Sequence, residues 1–524
     1  MAVLNFDLIS GWTYHDWVYY SVIGLVLLTV IITLQAIYNI FFHPLRDYPG
    51  PLLNRISPLP WALTLPTGSA PRKAHLLHEK YGPIVRLSPN HVSYTDVRAW
   101  KDIYGHRTGS TSFKSENPKT PIFYNAFGTD VPTILNADRD EHGRLRKALS
   151  NGFSDKSMRE QEPIIARYVS LLIERLHGES KTGKEVNINQ WFDWTTFDII
   201  ADLVFAESFG CLEFSRSHPF VQAVVSTVKQ GSLMLSLSYL GFRHVTGKLL
   251  AFVGTNQLLH LRRLMSAKLK HRLTVKHDRF DLIDGLIKRH HQGTLDLEHL
   301  SANCGLVVAA GSETTASLLT GVTYLLLTNP DKMEKLKQEV RSTFASADEI
   351  TMTSVNRLSY MLACLNEGLR MYPPAVSNLP RQVHEGGEVI AGKFVPEKTI
   401  VECQMYAMNY SSTNWHNADT FEPERFLHKF DTEGNYPESK DDPNEDVFEA
   451  LQAFNVGPRN CIGRNLAYVE MRLVLARIIY DFDLALAERS KGWLENLKVY
   501  TIWQRVPLYI HLTPVNRGEL CRGW

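Results

Sequence analysis

Neither sign of charge is in surplus in this sequence. Its 524 residues carry 56 basic and 55 acidic side chains, a formal net charge of +1. A nucleic-acid binder would show a basic excess, so that class is set aside. Cysteine is scarce. Cys211, Cys304, Cys364, Cys403, Cys461 and Cys521 are scattered without paired spacing, which suits a reducing compartment better than a disulfide framework. Internal repeats are absent, and no Gly/Ser- or Pro-rich linker interrupts the chain after residue 70. Length alone suggests about three domains. Without linkers, one large domain over residues 61–524 is the better reading.

Charge is missing altogether from Trp17 to Phe42. An uncharged stretch of that length can cross a bilayer as a helix. Aromatic residues crowd both its ends, Trp12 to Tyr20 on one side and Tyr38 to Phe42 on the other, as interfacial belts do. A cleaved signal peptide would carry a basic start and a shorter apolar core. Here no Lys or Arg precedes Arg46. The positive-inside rule then sets residues 1–16 in the lumen, 17–42 in the membrane and the rest in the cytosol. Residues 43–60 hold His43-Pro44 and Tyr48-Pro49-Gly50-Pro51, a stiff hinge between membrane helix and soluble domain.

What is present centres on Phe454-Asn455-Val456-Gly457-Pro458-Arg459-Asn460-Cys461-Ile462-Gly463. Apolar residues at three- and four-residue steps predict a helix over Arg464–Tyr480. Cys461 therefore precedes a helix N-terminus, where backbone N–H groups and the macrodipole favour a thiolate. Such a sulfur could be a nucleophile, a zinc ligand or a haem ligand. Zinc needs partner ligands at short spacing, and no second Cys or His lies within ten residues on either side. A distant His base stays open, as does a buried structural thiol.

Other stretches bear on the choice. Asp296–Thr328 is long and apolar nearly all round, as a central core helix should be. Its middle, Ala310-Gly311-Ser312-Glu313-Thr314-Thr315, breaks that character with a carboxylate that is costly to bury unless paired or working. Asn329 caps the following helix, with Pro330 at its first position. Glu367 and Arg370 are i,i+3 neighbours on a helix over Leu358–Met371, and Pro423-Glu424-Arg425-Phe426 follows downstream. His142 and Arg146 share a face of a helix over Asp140–Leu149.

Ile84–Ser88 and His91–Tyr94 read as a hairpin, and residues 160–230 as successive helices including Trp191–Phe205. Ala375–Val383, Val389–Phe394 and Thr399–Gln404 read as strands, and Leu497–Trp503 with Leu508–Leu512 as a second hairpin. Residues 105–137 and 429–449 read as long loops. Leu233–Phe242 is an apolar run of ten, too short to span a membrane, and reads as either a buried helix end or an interfacial segment dipping into the membrane.

The pattern F-x-x-G-x-R-x-C-x-G before an amphipathic helix resembles the haem-binding loop of the cytochromes P-450. The resemblance recurs in order along the chain, through the A-G-x-E-T-T helix, E-x-x-R, P-E-R-F and the cysteine loop. It implies a mainly α fold with a small β region, the cytochrome P-450 fold, behind an N-terminal transmembrane helix. It implies haem b, with Cys461 as axial thiolate on the iron and Phe454, Gly457 and Arg459 in the binding loop.

His142, Arg146 and Arg381 would hold haem propionates. Glu313 and Thr314 would relay protons on the opposite face, with Gly311 leaving room for O2. Glu367, Arg370 and Arg425 would form a structural lock. Residues 105–137 would cap the substrate pocket, Leu233–Phe242 would form a loop beside its entrance, and Val376–Leu379 and Val499–Ile502 would border it.

The resemblance further implies an oxidoreductase of the endoplasmic reticulum membrane. It would insert one oxygen of O2 into a lipophilic small molecule. Electrons would come from NADPH through a separate reductase, with cytochrome b5 as a further partner, since no Gly-rich nucleotide motif is present. Leu149-Ser150-Asn151-Gly152-Phe153-Ser154-Asp155-Lys156 is similar to fungal secondary-metabolism members of the isotrichodermin-hydroxylase type. Desaturation, epoxidation, coupling or rearrangement by the same oxidant is the alternative reaction. A non-catalytic haem sensor is the remote one. The Asn409-Tyr410-Ser411 sequon should stay unmodified on a cytosolic domain.

Overall fold

A computed structural model describes residues 13–106, 116–124, 131–242, 255–274, 281–376, 379–427 and 445–516. The chain opens with α1, Tyr14–Ile37, continued by a wider π turn at Tyr38–Phe42. Thr13 and Asp16 form a reciprocal capping box at its start. The span Tyr14–Phe42 has mean hydropathy 2.2 and none of its apolar core is buried within the protein. It is long and apolar enough to cross a membrane.

The end of α1 is tied to the soluble domain by polar groups. Asn39 donates to the Ile56 carbonyl at 2.8 Å. Arg86, with no exposed surface, donates to the carbonyls of Asn39, Leu45 and Pro89. A fully buried guanidinium without a carboxylate partner is held by these oxygens alone, and burial, then Arg55, lowers its pKa to about 10. The helix is thereby fixed against the first strand rather than hung on a loose tether.

The remaining helices that matter are α2 (Ala70–Tyr81), α3 (Arg98–Tyr104), α4 (Arg139–Ser150), α5 (Asp155–Ser180), α6 (Ile188–Phe205), α7 (Pro219–Tyr239), α8 (Thr255–Thr274), α9 (Asp284–His291), α10 (Leu297–Thr328), α11 (Pro330–Thr343), α12 (Ser359–Met371) and α13 (Arg464–Asp481). α10 has 32 residues, about 48 Å at 1.5 Å per residue. Asp296 caps it by accepting from the His299 N–H. One hydrophobic cluster runs around it, drawing on residues from Leu45 to Leu512.

The β structure is small. β1 (Ile84–Ser88) and β2 (His91–Tyr94) form the expected hairpin, and β7 (Ile400–Cys403) lies parallel to β2 with β4 (Arg381–Gln382) at the edge. β3 (Val186–Asn187), β9 (Tyr509–Pro514) and β8 (Phe482–Leu486) make a second sheet. β5 (Glu388–Ile390) and β6 (Lys393–Val395) pair alone.

Several local expectations need correction. Leu233–Phe242 is not a loop: Leu233–Tyr239 ends α7, with Ser232, Met234, Leu235, Ser236 and Ser238 buried, while Leu233 and Phe242 stay exposed. Its apolar run continues a helical face, so helix propagation extends through it. Asn329 is the N-cap of α11, with Pro330 at the first helical position and the Asn329 carbonyl accepting from the Met333 N–H, but its side chain makes no capping bond there and donates backward to the Leu325 carbonyl at the end of α10. Val389–Phe394 is a two-strand hairpin, turned at Ala391-Gly392.

Leu497–Trp503 and Leu508–Leu512 do not pair with each other. Val499 bridges Trp503, Ile502 bridges Ala375, and β9 pairs with β3 and β8. Alternating apolar residues announce a strand but not its partner. Parts of the predicted loops, residues 107–115, 125–130 and 428–444, lie outside the described residues, as do Ser377 and Asn378 of the expected substrate border and Cys521.

Candidate active site

The loop before α13 is built to present one sulfur. Asn455 (φ 60°) and Gly457 (φ 76°) take left-handed conformations, and the Cys461 N–H returns to the Phe454 carbonyl at 2.8 Å. A side chain at Gly457 would run into the Tyr104 carbonyl of α3, so only glycine lets the loop sit there. Phe454 lies against Tyr468 at 5.4 Å and under Arg464 at 5.8 Å.

Cys461 alone among the described cysteines faces open space; Cys211, Cys304, Cys364 and Cys403 are buried. Burial by the surrounding loop nonetheless raises the thiol's pKa. The Gly463 N–H and the Arg146 and Arg464 charges oppose that rise without overcoming it. The expected thiolate-favouring groups are therefore in place, yet burial outweighs them. A metal ion would deprotonate such a ligand outright. Among the described residues no three His, Cys, Asp or Glu side chains gather as a metal-holding set, which leaves the zinc alternative without co-ligands.

α10 carries the Ala310–Thr315 motif. Along its length only Glu298, Ala310 and Thr328 are exposed, the first and last at its ends. Ala310 is thus open near the middle of a largely buried helix. Thr314, one turn on, donates its hydroxyl to the Ala310 carbonyl at 2.8 Å. Gly311, expected to leave room for O2, has a different neighbour. A Cβ there would meet the Ile200 side chain of α6 at 2.9 Å, and α6 on α10 is the broadest helix contact in the molecule. Its missing side chain serves helix packing. Gly311→Ala should cost about 1–3 kcal/mol by overpacking. That loss should appear as a lower Tm with the haem spectrum unchanged in shape; an unaltered Tm would contradict the close approach.

Basic groups converge on a wall beside the cysteine loop. His142 is buried on α4, and Arg381 is 3% exposed, its Nη1 without a hydrogen-bond partner among the described residues. Arg146 donates to the Asn460 carbonyl at 2.7 Å, and Arg459 to the Ala137 carbonyl at 2.8 Å and to Glu116 at 2.6 Å. Asp138 caps α4 and so sets where His142 and Arg146 point.

Two members of this wall carried no motif. Lys119 bridges Arg381 through the backbone, reaches the Leu135 carbonyl and sits 5.2 Å over Tyr124. Glu116 is the carboxylate that Arg459 holds. Burial, then the Arg459 and Arg381 charges, pushes Lys119 down to about 6, and burial with Arg459 and Lys119 takes His142 to about 4. Burial works against the Glu116 charge, but Arg459 keeps its carboxyl below the usual range. Arg381, Arg459 and Arg146 thus stand around the Glu116 carboxylate, and Lys119 and His142 beside them, discharged by burial, would regain their charges next to an anionic group.

Behind the loop, Glu367 is completely buried. It takes Arg370 at 2.7 and 2.8 Å and Arg425 at 3.2 Å. Arg370 also donates to the carbonyls of Asn409, Ala418 and Thr420, and Arg425 reaches Asp446 at 2.7 Å. Asn409 itself is buried, so its sequon is inaccessible in the folded chain. The lock ties α12 to the segments on either side of residues 428–444.

Sequence comparison decides the family. A profile of the Cytochrome P450 family matches residues 52–511.

The chain belongs to the cytochrome P450 family.

The family implies haem and O2, and the site fits them: an open cysteine sulfur, a helix open at Ala310 and a cationic rim suited to the two carboxylates of haem. Among known monooxygenases the P450 is 45% identical over 495 residues to Cytochrome P450 monooxygenase tpeC of Talaromyces stipitatus, covering 94% of this chain and 95% of that one. It is 40% identical over 503 residues to Trichothecene C-15 hydroxylase of Fusarium sporotrichioides, covering 94% and 96%. It is 38% identical over 515 residues to Averantin hydroxylase of Dothistroma septosporum, covering 97% and 93%.

Proposed function

We propose that this P450 inserts one oxygen atom of O2 into a lipophilic intermediate of fungal secondary metabolism, with electrons from an NADPH-dependent reductase. The observation that carries the reading is the open Cys461 sulfur at the start of α13, with Arg459 in its loop and Arg146 on the neighbouring Asn460. Cys461 would bind the haem iron, and Arg381, Arg459, Arg146, His142 and Lys119 would hold its carboxylates. Phe454 and Gly457 would shape the loop beneath it. Haem bound there supplies reduction and cleavage of O2. Thr314 keeps its hydroxyl hydrogen on the Ala310 carbonyl, which leaves its oxygen free to accept and pass on a proton. Glu313, next to it, would supply that proton.

The charge-free stretch Trp17–Phe42, with Arg46 the first Lys or Arg of the sequence, supports anchorage in the endoplasmic reticulum membrane, catalytic domain in the cytosol. Relatives named for trichothecene and averantin hydroxylation support a terpenoid or polyketide substrate class.

The test is turnover of candidate intermediates by the purified P450 with reductase, NADPH and isotopically labelled O2. One labelled oxygen in the product is expected; an unlabelled product would sink oxygen insertion and favour desaturation or coupling. With a substrate in hand, Thr314→Ala should send most of the NADPH oxidised into hydrogen peroxide. Unchanged product per NADPH would remove Thr314 from proton delivery.

A further inference from the structure

Glu313 lies on the buried side of α10, and its surroundings hold more than the family motif describes. Oε2 accepts from Arg505 Nε at 2.8 Å and Nη2 at 2.5 Å. Arg505 belongs to the irregular segment before β9, and on its other side it pairs with Asp193 of α6. Oε1 of Glu313 has no hydrogen-bond partner among the described residues, although the residue is only 6% exposed.

Beside it is a cavity of about 20 Å³ whose walls include Glu313, Thr314, Ser317, Thr320, Asn189 and Gln504. A polar void needs roughly 10–15 Å³ to hold a water molecule. This one is large enough and offers several hydrogen-bonding partners. Thr314 and Glu313 thus share one water-sized space.

The charges in this cluster do not balance. Asp193 and Glu313 are two carboxylates around one guanidinium, all three largely buried. Tyr372, the other titratable group on the cavity wall, is kept neutral because burial raises its pKa. A carboxylate with a guanidinium to itself would stay ionised, and one with no cation would stay protonated. Sharing Arg505 leaves Glu313 between those limits.

We propose that Arg505 is a positioning residue for proton delivery: it holds Glu313 with one oxygen free toward a water-filled cavity that adjoins Thr314, and its charge, shared with Asp193, sets the pH at which Glu313 takes up a proton. The proton leaves Glu313 Oε1 for the cavity water, which passes one of its own to the Thr314 oxygen. Glu313 remains as a carboxylate beside Arg505 and is reprotonated from solvent. This rests on the reading of Glu313 and Thr314 as the proton-delivering pair. Burial pushes the Glu313 carboxyl up to about 8, in the range where such exchange is useful near neutral pH.

The test is infrared titration of the detergent-solubilised, haem-loaded full chain, following the carbonyl stretch of protonated carboxylic acids, with Glu313→Gln identifying the Glu313 band. In Arg505→Met the midpoint of that band should rise by about one pH unit or more, the size expected for loss of an adjacent opposite charge. In Asp193→Asn it should fall, because Arg505 then serves Glu313 alone. Equal midpoints in wild type and both variants would overturn the proposal, as would a wild-type band that survives Glu313→Gln.

A thiolate-type carbon monoxide spectrum in each variant shows that the haem site is intact. If Arg505→Met lacks it, Arg505→Lys, which keeps a cation, and the Asp193→Asn arm still decide. Absence of that spectrum in the wild type would strike instead at the haem-thiolate reading.

Discussion

Replacing Glu367 by Gln should yield a chain that does not hold haem. The side chain is fully buried between Arg370 and Arg425, themselves almost without exposed surface. Neutralising it leaves two guanidiniums in the interior with only Asp446, Glu422 and backbone carbonyls to balance them. Removing one partner of a buried ionic network costs about 3–5 kcal/mol. Total stability of a folded chain is only about 5–15 kcal/mol, and 3 kcal/mol is already a factor of about 100 in the ratio of folded to unfolded chain.

The Glu422 N–H also bonds Glu367, at 2.9 Å, so the segment leading toward the cysteine loop loses its tether as well. The check is haem per polypeptide in the purified membrane fraction. Glu367→Asp, which keeps the charge on a shorter stem, should fall between wild type and Glu367→Gln. Full haem content in Glu367→Gln would show that the cluster is dispensable.

Gly457→Ala should produce a different failure: a folded protein with an empty or weakly filled haem site. The residue sits at φ 76° with its Cα against the Tyr104 backbone. A methyl group there carries left-handed strain of about 1–3 kcal/mol. It also overlaps a carbonyl that α3 holds in place, so the loop must lift away and move Cys461 with it. Helix content by circular dichroism should stay near wild type while haem content drops. Wild-type haem content would mean that the loop tolerates displacement.

Much of this was legible in the sequence because its signals are local. The length and apolarity of α10, the existence of α13 and the charge-free stretch Trp17–Phe42 each follow from periodicity or its absence, though α13 is buried nearly all round from Leu473 to Tyr480 and not along one face. His142 and Arg146 come together by i,i+4 spacing on a helix started by Asp138. Glu367 and Arg370 do so by i,i+3 spacing, and the P-E-R-F signature supplies Arg425. What was hidden comes from tertiary packing. Lys119 and Glu116 reach the cationic wall from a stretch with no periodicity, and only the folded chain brings them beside Arg381 and Arg459.

Arg505 and Asp193 lie 192 and 120 residues from Glu313 in sequence, and no spacing rule connects them. Gly311 shows the limit of a helical face argument. The motif places it beside the groove, but which neighbour fills the space over its Cα depends on how α6 crosses α10. The last residues make the same point, since alternation predicts strands there while their partners lie in β3, β8 and Ala375.

The central claim is that Cys461 binds haem iron through its sulfur. The direct measurement is the carbon monoxide difference spectrum of the reduced, purified protein, in wild type and in Cys461→Ser. The wild type should show the thiolate-type band, and Cys461→Ser should lose it even where some haem remains bound. A thiolate band that survives Cys461→Ser, or its absence from haem-loaded wild type, would contradict the assignment.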